Sequence, residues 1–253
     1  MSSTSPMSRA TIVDYLKDLS RPVWKPVTAS LTAAPGAPRL GGTPLIGEGY
    51  PFPRCRKCSG LLTLFLQLPL RDLPAGEEEL RDAGFEKALP DSILQLFCCI
   101  DSEKKCFLDT FDDPECGALE IRTVPAGTPP LACPSKALST AFPARTIIGW
   151  ERRQFDYPSF CELSIACEFA DFEESEYERV CGAMHGREDK LLGCPSFFED
   201  ADEFECARCG KDMIYLFQLK SQDNLPFEFG HDGCGYVFLC PEDFTPAFSW
   251  QSS

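Results

Sequence analysis

Four runs of the chain carry the continuous apolar character of buried strands: LLTLFLQL (61–68), DSILQLFCC (91–99), DMIYLFQL (212–219) and DGCGYVFLC (232–240). Shorter strand candidates lie between them at LEIRTV (119–124), TIIGW (146–150) and FCELSIACEF (160–169). Helical spacing is rarer. Ile12, Tyr15, Leu16 and Leu19 share one side of a short amphipathic helix over Thr11–Leu19, with Thr11 and Asp14 placed as a capping box and Pro22 beyond its end. A second helix is predicted over Asp171–Met184, where Phe172, Val180 and Met184 share an apolar side among glutamates. Residues 22–38 mix Pro, Ala, Thr and Ser without periodicity and read as a connection or extended wrapping segment.

The strand runs are related to one another. Shifting the chain by 151 positions places Leu40, Gly42 and Pro44 on Leu191, Gly193 and Pro195, Cys55 and Cys58 on Cys206 and Cys209, and Gln67 and Leu68 on Gln218 and Leu219. A shift of 141 then places Asp91, Phe97 and Cys99 on Asp232, Phe238 and Cys240, so the first half carries a loop ten residues longer. Such self-similarity predicts an internal duplication. The expected fold is mainly β with a few short helices (α+β), two similar halves packed together. The organisation is an N-terminal helix and extended segment over 1–38, a first half over 39–150 and a second over 151–253, as separate units or one compact domain.

Composition narrows the class. With 253 residues, 43% of them hydrophobic and 20 of them Phe, the chain can bury a sizeable core, while 22 Pro and 18 Gly predict many loops. The first residues lack a basic start followed by an apolar core, and no stretch reaches the roughly 20 apolar residues that span a bilayer. The expectation is a soluble protein of the cytoplasm, with the nucleus as an alternative. Fifteen cysteines, an odd number, fit reduced thiols with metal better than a disulfide framework. Single ones such as Cys161 and Cys167 read as small buried hydrophobes. The net charge is −15, and residues 168–205 hold thirteen Asp/Glu against three Lys/Arg. That sign repels phosphate backbones and disfavours nucleic acid, whereas it suits a basic protein partner; a solvated acidic loop and helix face has the same composition.

Cys-x-x-Cys on a tight turn presents two sulfurs to one tetrahedral ion, and Ser59, Gly60 and Gly210 supply the bend. The candidate ligands of structural zinc are therefore Cys55, Cys58, Cys206 and Cys209, with Cys99 and Cys240 as equivalent third ligands. Cys98 and either Cys234 or His231 are candidate fourths. One four-cysteine site shared by both knuckles, a site in only one half, or metal-free cysteines are the alternatives. A redox reading is weaker, because redox Cys-x-x-Cys motifs open a helix after a strand, whereas these precede strands. His185 and His231 stand in no HExxH arrangement, and GGTPLIGEG (41–49) lacks the Gly-Lys-Ser/Thr ending of a phosphate loop.

The ordered set LSRPVWKP (19–26), RLGGTPLIGEGYPFPRC (39–55), LTLFLQLPLRDLP (62–74), LPDSILQLF (89–97), KLLGCP (190–195) and GYVFLCPEDFTPAFSWQSS (235–253) resembles the YwqG-like domain-of-unknown-function family over nearly the whole chain. More distantly, residues 40–99 resemble the programmed cell death protein two family, although the intervening MYND-type finger of that family is missing. The first resemblance implies no catalytic residues. The second implies chaperoning of a newly made basic ribosomal protein. The resulting expectation is a non-enzymatic, zinc-stabilised protein-binding module. A chaperone-like holder of a basic ribosomal protein is one alternative, and a hydrolase or thiol redox enzyme using the groove between halves is another.

Overall fold

The computed structural model describes residues 19–101, 103–111, 113, 115–135, 142–158, 187–198 and 204–252. Ten strands are present among them: β1 (Arg21–Ala29), β2 (Arg39–Leu40), β3 (Thr63–Pro69), β4 (Ser92–Cys98), β5 (Leu119–Pro125), β6 (Arg145–Asp156), β7 (Lys190–Leu192), β8 (Ile214–Lys220), β9 (Cys234–Leu239) and β10 (Pro246–Gln251). They form one antiparallel sheet in the order β10-β9-β8-β7-β1-β6-β2-β3-β4-β5. The two end strands, β5 and β10, come into contact, so the sheet curls into a nearly closed barrel and shields its own edges. Helix is scarce among the described residues, its bounded elements being α1 (Glu77–Asp82) and two 3-10 turns, Leu70–Asp72 and Leu108–Thr110. The predicted helices over 11–19 (apart from Leu19) and 171–184, the strand over 160–169, His185 and most of the acidic stretch 168–205 lie outside the described residues.

β3 is buried at every position and β4 at all but its first, which is why their sequences are continuous apolar runs rather than alternating ones. A bulge between Leu64 and Leu66 divides β3. Leu62 and Leu64 pack with Cys55, Cys99 and Cys106, whereas Leu66, Leu68 and Leu70 join the central core. Without the extra residue all five would point to one face. β8 carries the corresponding bulge between Tyr215 and Phe217, separating Tyr215 from a core that holds Phe217 and Leu219.

The positions related by the shifts of 151 and 141 occupy matching places. Arg39 pairs with Gln67 and Lys190 with Gln218; Thr63 pairs with Cys98 and Ile214 with Leu239. The buried Gln67 amide accepts from Leu45 N–H at 2.8 Å and donates to Ala37 C=O at 2.9 Å. Gln218 accepts from Ser196 N–H at 2.8 Å and donates to Glu188 C=O at 2.9 Å. Each glutamine therefore stitches the loop after its short strand to the segment before it, satisfying groups that burial would otherwise strand.

Of the two central strands, β6 contains the run 146–150 read as a strand, whereas β1 was hidden in the sequence. β1 lies within the segment read as a connection, because Pro22 and Pro26 disguise it. Among the described residues β7 pairs with β1 only at Val23 and Trp24, so that ladder asks no N–H of Pro26. β1 precedes β2 in the chain but pairs with β7, and β6 precedes β7 but pairs with β2. β1 and β6 also pair with each other, so each half's first strand extends the other half's sheet. The core is correspondingly continuous: Trp24, Leu40, Phe65 and Leu96 belong to the same cluster as Leu191, Phe217, Phe229 and Trp250. Phe65, Phe107, Phe227 and Phe229 meet there at ring separations of 4.7–6.4 Å.

One buried polar patch flanks β7. Lys190 donates to Asp156 Oδ2 at 2.7 Å with both side chains almost fully buried, and the same oxygen accepts from Cys194 N–H at 2.9 Å. Neighbouring Asp189 accepts from Lys220 N–H and from the backbone and side-chain nitrogens of Asn224. Burial, with the Asp223 carboxylate nearby, nevertheless pushes Asp189 up to about 7 against those donors.

Candidate metal centres

The two Cys-x-x-Cys segments fold into the same turn. Cys55 N–H donates to Gly60 C=O at 2.9 Å and Ser59 N–H to Cys55 C=O at 2.8 Å; Cys206 N–H donates to Lys211 C=O and Gly210 N–H to Cys206 C=O, both at 2.8 Å. Bridges Arg54↔Leu61 and Glu205↔Asp212 close the bases of the turns. Ser59 and Gly210 hold the same left-handed conformation, φ 62° and 68°, which brings the second cysteine round to face the first. Gly60 N–H also points at Cys58 Sγ, 3.4 Å away.

Each turn meets a cysteine just past the second matched strand. Cys55, Cys58, Cys99 and Cys106 bring their sulfurs within 4.8 Å of one another, and so do Cys206, Cys209 and Cys240. Cys58 Sγ lies 3.7 Å from Cys99 Sγ, and Cys209 Sγ lies 3.5 Å from Cys240 Sγ. These thiol groups could hold a metal ion. All cysteines among the described residues are free thiols.

The first cluster is the more enclosed, with Cys55, Cys99 and Cys106 buried and Cys58 half-buried; in the second, Cys206 and Cys240 are buried and Cys209 is exposed. Burial pushes Cys106 and Cys240 each up to about 11 and raises Cys99 further. Burial opposes ionisation of Cys58 too, but the Gly60 N–H and the surrounding thiols hold it below the usual thiol value. Cys206 is likewise lowered, burial being outweighed by the N–H groups of Arg208 and Cys209 and by the adjoining thiols. Cys58 is thus lowered while Cys99 and Cys106 are raised, and Cys206 is lowered while Cys240 is raised; a bound divalent cation removes that conflict by favouring the thiolate at every ligand.

The remaining sequence candidates lie elsewhere. Cys98 faces the central core, on the opposite side of β4's end from Cys99, and burial holds it well above the usual value. Cys234 begins β9 opposite Lys220 and Gln251, at the other end of the strand from Cys240, and burial pushes it up to about 12. His231 is exposed in the turn before β9. The knuckles form two separate groups rather than one shared site. The fourth sulfur of the first group, Cys106, escaped the sequence reading because it comes from a loop without a counterpart: the same shift of 141 lands on Ala247. Its one sequence signal is its position seven residues after Cys99.

Asp243 also went unread. Its Oδ1 lies 3.7 Å from Cys206 Sγ and accepts from Thr245 N–H at 3.0 Å, while Oδ2 faces Arg208 Nε at 3.3 Å. The Thr245 N–H outweighs burial and, with the Cys240 thiol and Arg208 adding to it, holds Asp243 down at about 2.

No curated protein matches the chain. The family described as Domain of unknown function (DUF1963) matches residues 38–248, a span that includes both thiol clusters and the strands between them, and the chain belongs to that family.

Proposed function

We propose that this chain is a non-enzymatic protein-binding module built from two homologous halves, each stapled by structural zinc. The observation that carries this reading is the four-thiol group Cys55, Cys58, Cys99 and Cys106, largely withdrawn from solvent at the base of β3 and β4. Zinc–sulfur bonds of about 2.3 Å set tetrahedral sulfur–sulfur edges of about 3.8 Å. The 3.7 Å and 3.5 Å separations come close to that figure. An all-sulfur tetrahedron favours zinc over the harder divalent cations, and four protein ligands leave no position for substrate. Matched registers, bulges and buried glutamines support descent of the halves from one duplicated unit.

The module works in a reducing compartment, the cytoplasm, and its partner is basic. The charge of −15 supports that choice, as does the resemblance of the chain's motifs to those of the YwqG-like and programmed cell death protein two families. Metal analysis of native protein should find two zinc ions per chain. A chelator-treated sample that stays metal-free and fully folded would sink the zinc reading. Affinity capture from cytosol at low salt should recover a basic protein that elutes as salt rises; recovery of none would overturn the choice of partner.

A further inference from the structure

The two thiol groups differ in a way that the proposed zinc reading does not require. After Cys99 the chain makes a loop long enough to return a fourth thiol, Cys106; after Cys240 it turns within Cys240–Thr245, closed by Phe244 N–H to Cys240 C=O at 3.1 Å and Cys240 N–H to Thr245 C=O at 2.9 Å. That tight turn leaves no room for a fourth cysteine and instead brings Asp243 to the cluster. Resting on the zinc reading, we infer that the second centre is a three-thiolate, one-carboxylate site in which Asp243 Oδ1 is the fourth ligand to Cys206, Cys209 and Cys240.

The edge from Asp243 to Cys206 suits a mixed tetrahedron; Oδ1 does not lie within 4.8 Å of all three sulfurs, so a bound ion would draw the carboxylate inward to complete the site. With a zinc–sulfur bond of about 2.3 Å and a zinc–oxygen bond of about 2.0 Å, the sulfur–oxygen edge is about 3.5 Å. Asp243 Oδ1 stands 3.7 Å from Cys206 Sγ. Oδ1 keeps a lone pair free beside the Thr245 N–H bond, and Arg208 on Oδ2 fixes the plane of the carboxylate, as outer partners of metal ligands do. Glu242 N–H points at Cys240 Sγ, 3.4 Å away, the same support that Gly60 gives Cys58. A carboxylate is a harder and less tightly held ligand for zinc than a thiolate, and Cys209 is exposed, so this is the exchangeable centre while the four-thiolate centre is retained.

The test uses full-length protein loaded with zinc, or with cadmium for NMR. The wild type should release one ion to a chelator roughly ten-fold or more faster than the other. It should also give two cadmium resonances, one in the four-sulfur range and one shifted toward oxygen ligation. Cys55→Ser should remove only the four-sulfur resonance. Asp243→Asn still accepts the Thr245 N–H through its amide oxygen but is a poor ligand, so it should speed release from the second centre alone. Asp243→Cys should slow that release and move the second resonance into the four-sulfur range. The assignment is overturned if both Asp243 variants leave the second resonance and its release rate unchanged. It is equally overturned if the wild type shows two four-sulfur signatures. Failure to bind any ion would sink the zinc reading itself, a separate outcome.

Discussion

Cys98 and Cys106 illustrate how position, not residue type, decides a cysteine's role. Both are buried, yet Cys98 packs in the central core whereas Cys106 turns toward three other sulfurs. On the proposed zinc reading, Cys98→Ala should keep both ions and cost about 1 kcal/mol of packing. Cys106→Ser should lose the first ion and lower the thermal midpoint, as read by metal analysis and calorimetry. The sequence signal for Cys55, Cys58, Cys206 and Cys209 was strong because the ligand spacing is local; Cys106 was illegible because its loop occurs once. Asp189 gives a second check at this scale. Its folded value of about 7 lies above the ordinary aspartate value of 3.8, so the folded state holds the proton more tightly between them. The stability it contributes is complete below about pH 4 and is lost as pH rises through 7, with a slope of up to about 1.4 kcal/mol per unit. The difference in denaturation free energy between wild type and Asp189→Asn should therefore change across that window and flatten above it.

Among elements, the turn after β7 is closely constrained by the buried pair beside it. Gly193 has φ +78°, and a Cβ there would meet Asp156 Oδ2 at 2.5 Å and Val23 Cβ at 3.0 Å. Gly193→Ala would both strain the backbone and push Asp156 away from Lys190. A loss of about 2–4 kcal/mol is expected in urea denaturation, with the buried pair broken. Elements whose character is set by burial on both faces, β3, β4, β8 and β9, were readable as continuous apolar runs. β1 and β10 were not: RPVWKPVTA and PAFSWQ carry prolines, and only their partners in the sheet make them strands. α1 lies in the longer loop of the first half, where the shift drops from 151 to 141, so its position was marked by the ten-residue insertion although its helical nature was not.

At the scale of the whole molecule, the exchange of β1 and β6 decides what can fold alone. The boundary at 150/151 drawn from the repeat falls inside β6, because self-similarity locates corresponding residues but cannot tell which half a strand pairs with. Cutting the chain at 141/142 instead keeps β6 whole but separates it from β1 and β2, and leaves β7 without β1. It also divides a core in which Phe65 and Phe107 touch Phe227 and Phe229, so each fragment exposes apolar surface along with unpaired strand edges. Fragments 1–141 and 142–253 should each be unfolded or aggregated when made separately. Refolded together with zinc, they should give one complex of one copy each, with the dispersed amide spectrum of the intact chain. Two monomeric fragments that each unfold cooperatively on their own would show that the crossed strands are dispensable. On the proposed duplication, a requirement for the crossed strands would mean that a single ancestral unit was stable only as a pair, each copy lending its first strand to the other, and that fusing two copies made that exchange intramolecular.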